Sequence, residues 1–260
     1  MTKKENDYGV IAFNAINWRN RVLISTCTEG LVRFEWAHAR YGQVIPVNWG
    51  AQGFDVPVAS EGNVIGYSID DAYNIITAKA LELGVDWLVS IEDDVLIPPD
   101  LLIKFGQYMD AGNEPIVSGL YYTKSEPAEP LLFRGRGNGP FHDWKKGQKV
   151  TVDGLPMGCL LIHTSILKAV TEISEMYQTF DGQSLKRVFE TPRRMSFDPQ
   201  KGVERQEGTQ DLYFFDRVIE NDILKKTGWK KAARRKWPFL CDTSIFCKHI
   251  DRQTGRQYPG

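Results

Sequence analysis

The sequence has almost no net charge and no long hydrophobic segment. Its 32 Lys and Arg residues nearly balance 33 Asp and Glu residues, for a formal net charge of -1. Such a protein has no overall electrostatic attraction to nucleic acid or anionic membranes, so any such attraction must be local. No run approaches the roughly 20 apolar residues that span a bilayer, and the first residues lack the apolar stretch of a signal peptide. We therefore expect a cytoplasmic protein without a transmembrane segment.

Cysteine is also scarce, and its four residues are scattered through apolar segments. They are Cys27, Cys159, Cys241 and Cys247. This distribution has neither the close pairing of a zinc site nor the pattern of a disulfide-rich protein. We expect reduced thiols in the core, which fits a reducing compartment.

Apolar runs alternate with helical patterns along the 260 residues, of which 42% are hydrophobic. Buried strands are predicted at 21–26 and 85–91, a strand whose proline favours an edge or a bulge at 43–48, and helices at 29–40 and 70–83. Ser68 supplies a helix cap and Gly84 a helix end. The length and the alternation predict one α/β domain with a single large core. In open α/β sheets, ligands bind outside the carboxyl ends of the strands.

Three consecutive carboxylates, Glu92, Asp93 and Asp94, follow the predicted strand at 85–91. Adjacent carboxylates raise one another's proton affinity unless a cation neutralises them. A hard divalent ion such as Mn²⁺ or Mg²⁺ prefers carboxylate and phosphate oxygens, so the cluster predicts a metal cofactor and a nucleoside diphosphate. A solvated acidic turn would explain the same tripeptide. If the segment is extended, Asp93 points away from its neighbours and is the least involved.

The segment at 78–95, AKALELGVDWLVSIEDDV, resembles the helix, strand and DxD motif of the A-type-fold, nucleotide-sugar-dependent glycosyltransferases, and is similar to family 2. Glu92 stands where the family has its first Asp. The resemblance implies that Asp94 binds the metal, while Glu92 contacts the ribose or the metal. It also implies a single Rossmann-like domain with a mostly parallel central sheet flanked by helices.

Further segments resemble family motifs in the same order along the chain. Gly119 and Gly158, each near a strand, would let the backbone approach the donor, although glycine is also ordinary in sheets. Thr26 and Thr28 follow the first strand, where the family holds the base and ribose, and Asn74 keeps half of a frequent Arg-Asn pair. The implied donor contacts are Thr26, Thr28, Asn74, Glu92, Asp93, Gly119 and Gly158.

Two late segments bear on chemistry. The stretch at 208–215, GTQDLYFF, resembles the family's ED segment, with Gln210 in place of Glu. The resemblance implies that Asp211 takes the proton from the acceptor hydroxyl, as a general base within hydrogen-bond reach. Alternatively, Thr209 is an N-cap and Asp211 a first-turn acid. His249 resembles the histidine that completes the metal site in many members, and imidazole joins Mn²⁺ more readily than Mg²⁺.

The resemblance divides the chain into an N-terminal extension (1–20), a glycosyltransferase domain (21–250) and a C-terminal tail (251–260). The domain has a nucleotide-binding half (21–120) and an acceptor half (121–250). Within the acceptor half, the polar segment at 178–208 is expected to be a flap that closes over donor and acceptor, or else a passive insertion.

A basic segment at 225–237, KKTGWKKAARRKW, suggests contacts with a polyanion. Its candidate contacts are Lys230, Lys231, Arg234 and Arg235. Such a segment could bind DNA phosphates or a lipid-linked diphosphate, although a solvated helix end has the same composition.

Three functions stay open at this point. The first is metal-dependent, inverting transfer of a sugar from a nucleoside-diphosphate sugar, with a UDP-sugar expected, to an unidentified hydroxyl acceptor. The second directs the same chemistry to hydroxylated bases in DNA, as the basic segment suggests. The third is a nucleotide- or carbohydrate-binding module without turnover, which the departures Glu92, Gln210 and Tyr73 suggest.

Overall fold

Alternating strands and helices build a central sheet that carries helices on both faces. The computed structural model describes residues 21–44, 63–135, 139–198 and 202–260. The strands are β1 (Val22–Thr28), β2 (Asn63–Ile65), β3 (Trp87–Ile91), β4 (Val95–Leu96), β5 (Ile116–Leu120), β6 (Lys149–Val152), β7 (Cys159–His163), β8 (Met176–Gln178), β9 (Ser184–Lys186), β10 (Arg193–Asp198), β11 (Gly202–Glu207), β12 (Phe239–Phe246), β13 (Lys248–Ile250) and β14 (Gln257–Tyr258). The helices are α1 (Phe34–Tyr41), α2 (Ile69–Leu83), α3 (Leu101–Ala111), α4 (Thr164–Glu172), α5 (Gln210–Glu220), α6 (Ile223–Lys226) and α7 (Lys230–Ala233).

The central sheet has seven strands in the order β2-β1-β3-β7-β5-β12-β6. Strand β7 runs antiparallel to β3 and β5, and β6 runs antiparallel to β12, whereas the other five strands share one direction. The prediction of one Rossmann-like α/β domain with a mostly parallel sheet is therefore confirmed. Because β1, β3, β5 and β12 are parallel, their carboxyl ends meet at one edge, where β3 delivers the three acids.

Two apolar clusters cover the two faces of the sheet. Side chains alternate along a strand, so Leu88 packs with Tyr73 and Phe214 on one face while Val89 packs with Trp36 and Phe105 on the other. All five residues of β3 are buried, as is typical of a strand covered on both faces. The four cysteines are also buried and form no disulfide.

Local sequence signals explain several element boundaries. Helix α2 begins after Ser68, whose side chain accepts a hydrogen bond from Asp71 N, and ends at Gly84 in the left-handed conformation, as predicted. Helix α1 begins at Phe34, later than predicted, because Arg33 is extended. The predicted strand at 43–48 lies mostly outside the described residues. No helix in the described part of the chain is long and apolar enough to cross a membrane.

Two regions add detail to the predicted organisation. Residues 251–260, predicted as a C-terminal tail, contain β14, which pairs with β13, and β13 pairs with β4 in a second, three-stranded sheet. The segment at 178–208 contains one strand of the β8–β9 hairpin and the whole β10–β11 hairpin, but Val188 and Phe189 between them are fully buried. At least that part of the expected flap is anchored in the core.

Candidate active site

The three acids lie on a tight turn between β3 and β4. Val95 N donates a hydrogen bond to Glu92 O at 3.1 Å, so Asp93 and Asp94 occupy a turn rather than an extended segment. The expectation that Asp93 points away from its neighbours is wrong for this reason. Arg252 donates to Asp93 Oδ1 and its Nη2 lies 3.9 Å from Asp94 Oδ2, so both aspartates face the same cation.

Pairing of β13 with β4 brings His249 to the turn, since His249 lies opposite Val95. His249 Nε2 is 3.4 Å from Asp94 Oδ1, and His249 Nδ1 is 2.8 Å from Tyr122 O. A carbonyl oxygen only accepts, so Nδ1 carries a proton and donates to Tyr122 O, which leaves Nε2 directed toward Asp94. Asp94 Oδ1 is buried and has no hydrogen-bond partner among the described residues. A buried carboxylate oxygen and a ring nitrogen thus face each other, an arrangement that a bound cation would satisfy.

Asp94 and His249 fit a divalent ion that takes its remaining ligands from a substrate and from water. The described residues contain no group of three or more His, Cys, Asp and Glu side chains placed to hold a metal. Asp94 and His249 offer two ligands, and Mg²⁺ or Mn²⁺ commonly takes the rest from phosphate oxygens and water. Burial raises the pKa of Asp94, but His249 and Lys124 outweigh burial and lower this pKa to about 2. Asp94 is therefore a carboxylate at neutral pH, as a metal ligand must be.

Glu92 turns toward the opposite side of the cluster. Tyr73 Oη donates to Glu92 Oε1 at 2.9 Å, and a Cβ placed on Gly158 would lie 2.6 Å from Glu92 Oε2. Gly158 N in turn donates to Tyr121 Oη at 2.8 Å. Burial, followed by repulsion from Asp94, raises the pKa of Glu92 to about 8. The absence of a side chain at Gly158 thus makes room for Glu92 and Tyr121.

Asp211 stands at the start of α5, beside this cluster. Its charge contributes to the raised pKa of both Glu92 and Tyr121, so its carboxylate lies within electrostatic reach of the acids. Thr209 is the N-cap residue of this helix and Asp211 lies in its first turn, as the capping alternative predicts, although the Thr209 side chain makes no capping hydrogen bond. Leu212 N donates instead to Asp211 Oδ1 at 2.7 Å. The structure therefore brings Asp211, Glu92, Asp94 and His249 to one edge of the sheet.

The carboxyl end of β1 lies next to the turn. Thr28 accepts a hydrogen bond from Gly30 N at 3.0 Å, and its hydroxyl lowers the pKa of Asp93, although burial gives that carboxyl a net upward shift. The Thr26 hydroxyl is buried without a partner among the described residues. Both threonines remain candidate donor contacts.

Asn74 and Gly119 have structural explanations that compete with donor binding. The Asn74 amide donates to Phe189 O and Tyr177 Oη, and its Oδ1 accepts from Val188 N and Phe189 N. Its side chain is thus fully engaged in anchoring the segment after β9. A Cβ on Gly119 would lie 2.8 Å from Ile245 and 2.9 Å from Cys159 Sγ, so that glycine permits close packing of strands.

The basic segment lies at the amino-terminal end of β3, whereas the three acids follow its carboxyl-terminal end. Trp229 packs against Trp87, the first residue of β3, whereas Glu92 follows the last residue of β3. Five residue steps separate Trp87 from Glu92, about 16 Å at 3.3 Å per residue. Lys230, Lys231 and Arg234 are exposed there, and Arg235 is paired with Glu114. A small acceptor held at Asp211 would therefore not touch this segment, and contact of the segment with a polyanion stays a prediction.

Sequence reasoning missed four side chains of the site: Tyr73, Tyr121, Lys124 and Arg252. In the sequence, Tyr73 is only a departure from the family's Arg-Asn pair, yet its side chain is fully buried and donates a hydrogen bond to Glu92. Lys124 follows β5, and that position is a signal that could have indicated it, whereas Arg252 follows the three-residue strand β13, which carries no pattern in the sequence.

Comparisons with known proteins do not assign a family. No family model and no curated protein matches the chain. Among solved structures, A197 from STIV matches with a TM-score of 0.49 and 17% identity, over 89% of this chain and 87% of that chain. A protein described as a glucose-1-phosphate thymidylyltransferase from Bacillus anthracis matches with a TM-score of 0.35 and 11% identity, over 58% and 76% of the two chains. One described as a UDP-N-acetylglucosamine pyrophosphorylase from Entamoeba histolytica gives 0.34 and 11%, over 77% and 71%. Similarity at this level identifies no activity.

Proposed function

We propose that the protein is a metal-dependent glycosyltransferase that moves a sugar from a nucleoside-diphosphate sugar, with a UDP-sugar expected, to an acceptor hydroxyl. The observation that carries the proposal is the pairing of Asp94 Oδ1 with His249 Nε2 at 3.4 Å. The hydrogen bond from His249 Nδ1 to Tyr122 O fixes the orientation in which Nε2 can bind a metal. This pair lies at the carboxyl edge of the parallel strands, where α/β folds bind nucleotides.

Asp94 and His249 would hold Mn²⁺ or Mg²⁺ together with the donor diphosphate. When bound, such an ion stabilises the negative charge that develops on the leaving nucleoside diphosphate. The chain's own contribution is a partly buried edge in which charges interact more strongly than in water. Tyr73 holds Glu92 by a hydrogen bond, and the raised pKa keeps Glu92 largely protonated at neutral pH, which limits repulsion among the acids.

Asp211 is the group we assign to the acceptor. As a general base it would accept the proton from the acceptor hydroxyl while that oxygen attacks the anomeric carbon. A base on the side of the sugar opposite the leaving diphosphate gives a single displacement with inversion, which we include in the proposal. Its charge reaches Glu92 and Tyr121 from the start of α5, which supports a role for Asp211 at the same end of the sheet as Asp94 and His249.

The test is turnover of sugar nucleotides by the Asp211→Asn variant. Release of nucleoside diphosphate from a panel of UDP-, GDP-, CDP- and dTDP-sugars is measured with Mn²⁺ and a set of hydroxyl acceptors. Loss of a general base typically costs 10²- to 10⁴-fold in rate, so we expect about that loss with donor affinity retained. Asp143→Asn, at an exposed aspartate, is the matched control. Full rate in Asp211→Asn would contradict the assigned role, and a wild-type protein that binds a donor without turnover would support a binding module instead.

A further inference from the structure

Two cations from separate loops contact the aspartates of the β3–β4 turn. Lys124 Nζ lies 2.5 Å from Asp94 Oδ2, and Arg252 pairs with Asp93 Oδ1. The metal and the general base assigned above do not require either cation. Their placement against the acids therefore calls for its own explanation.

The loops that carry the two cations are tied to each other. Lys124 belongs to the loop after β5, which closes through a hydrogen bond from Leu131 N to Tyr121 O. Arg252 belongs to the turn between β13 and β14, and Arg256 of that turn pairs with Glu126 of the Lys124 loop. The pair joins the two loops that carry Lys124 and Arg252. Each cation still keeps part of its surface open, since the side chains of Lys124 and Arg252 are 29% and 37% exposed.

The aspartates beneath the cations are incompletely satisfied. Asp93 is 1% exposed, and its Oδ2 has no hydrogen-bond partner among the described residues. Asp94 Oδ1 is in the same condition. A buried acceptor without a partner costs free energy, so native proteins rarely leave one empty. A divalent cation would provide a partner for these carboxylate oxygens. An anion would then pair with Lys124 and Arg252, which pair with the aspartates when no ligand is bound.

We propose that Lys124 and Arg252 form the subsite for the donor diphosphate, and that Asp93 and Asp94 hold them in position until the donor binds. The identity of the donor rests on the proposed function, but the binding of a diphosphate can be tested without it. Arginine contacts two phosphate oxygens through its planar fork, while lysine supplies a point charge. The pair thus suits two adjacent phosphoryl groups.

Charge balance makes the diphosphate and the metal dependent on each other. At present the carboxylates of Asp93 and Asp94 face the cations of Lys124 and Arg252, and Arg252 also lies 3.7 Å from Glu29. A divalent cation and a diphosphate diester with two negative charges would add no net charge if they bind together. Either ligand alone would leave two uncompensated charges in a partly buried site, which is unfavourable. We therefore expect each ligand to raise the affinity for the other.

The experiment uses inorganic pyrophosphate as the probe, because the nucleotide base is unidentified. Calorimetric titrations with and without Mg²⁺ compare the wild type with Lys124→Met, Arg252→Met and the exposed-lysine control Lys145→Met. Loss of a hydrogen bond to a charged group weakens binding by about tenfold or more, so we expect that loss in the first two variants and a change below about twofold in the control. Lys124→Arg, which keeps the charge, should recover most of the affinity.

Thermal melting checks that each variant is folded. If Lys124→Met is unfolded, the pyrophosphate affinity of Arg252→Met is compared with that of the wild type. The proposal is overturned if the wild type binds no pyrophosphate, or if Lys124→Met and Arg252→Met bind it as tightly as the wild type. Binding that depends on Lys124, in a protein that transfers no sugar, would support the subsite and reject the proposed function. Sugar transfer with an unchanged donor KM in both variants would support the function and reject the subsite.

Discussion

Asn74 joins α2 to the segment after β9 through three hydrogen bonds and to β8 through a fourth, and its removal gives a quantitative test of the structure. The side chain is 3% exposed, donates to Phe189 O at 2.9 Å and to Tyr177 Oη at 3.0 Å, and accepts from Val188 N and Phe189 N at 2.9 and 2.8 Å. In Asn74→Ala these buried groups lose their partners. At roughly 1 kcal/mol for each bond, with some recovery by water, we expect the free energy of unfolding to fall by about 3 kcal/mol.

Urea denaturation monitored by tryptophan fluorescence measures this change, and the melting temperature should fall by about 6–12 °C. The exposed Asn113→Ala is the matched control and should change the unfolding free energy by less than about 0.5 kcal/mol. Nucleotide affinity, measured at a temperature where the variant is folded, should be unchanged. A loss of stability below about 1 kcal/mol, or a folded variant with weakened nucleotide binding, would refute the structural role and restore Asn74 as a donor contact.

Three further predictions follow from the site and its surroundings. The pKa of Glu92 is about 8, above the ordinary value of 4.5, so the native state binds more protons than the unfolded state between these values and wild-type stability should fall as pH rises from 5 to 8. Glu92→Gln removes this titration, so the stability of the variant relative to wild type should rise over the same pH range. Urea unfolding without metal measures the difference, and a difference that does not depend on pH would contradict the raised pKa. Gly158→Ala places a Cβ 2.6 Å from Glu92 Oε2 and should lower the free energy of unfolding by about 1–3 kcal/mol, whereas a neutral effect on a urea curve would contradict the tight contact. Combined replacement of Lys230, Lys231 and Arg234 by Gln should leave sugar-transfer rate and donor affinity within about twofold, since the segment lies at the opposite end of the strands from Asp211; a larger loss of rate would support the polyanion-contact hypothesis.

The parts of the fold that the sequence predicts are those with strong local patterns. The buried run of β3 and the capped helix α2 each carry a complete signal within about 15 residues: a continuous apolar stretch in one, and Ser68 and Gly84 in the other. The position of the acids after β3 follows directly from them.

The rest depends on contacts between distant residues. Strands β4, β13 and β14 have two or three residues each, too few for a periodic pattern, so the second sheet and the position of Arg252 were not predictable. Lys124 meets Asp94 only because two loops converge. The basic segment is a further example. A run of lysines predicts exposure to solvent, but it does not predict at which end of the strands the segment lies.

The most direct test of the central claim is whether nucleotide binding requires both a metal and Asp94. Thermal shifts are measured with UDP, GDP, CDP and dTDP, each with and without Mn²⁺, on wild type, Asp94→Ala and the exposed control Asp143→Ala, because a ligand of the native state raises its melting temperature by mass action. We expect one of these nucleotides to stabilise the wild type and the control, and to do so only with Mn²⁺. We expect no stabilisation of folded Asp94→Ala. Absence of any metal-dependent shift in the wild type would contradict this expectation and leave the three carboxylates as an acidic turn.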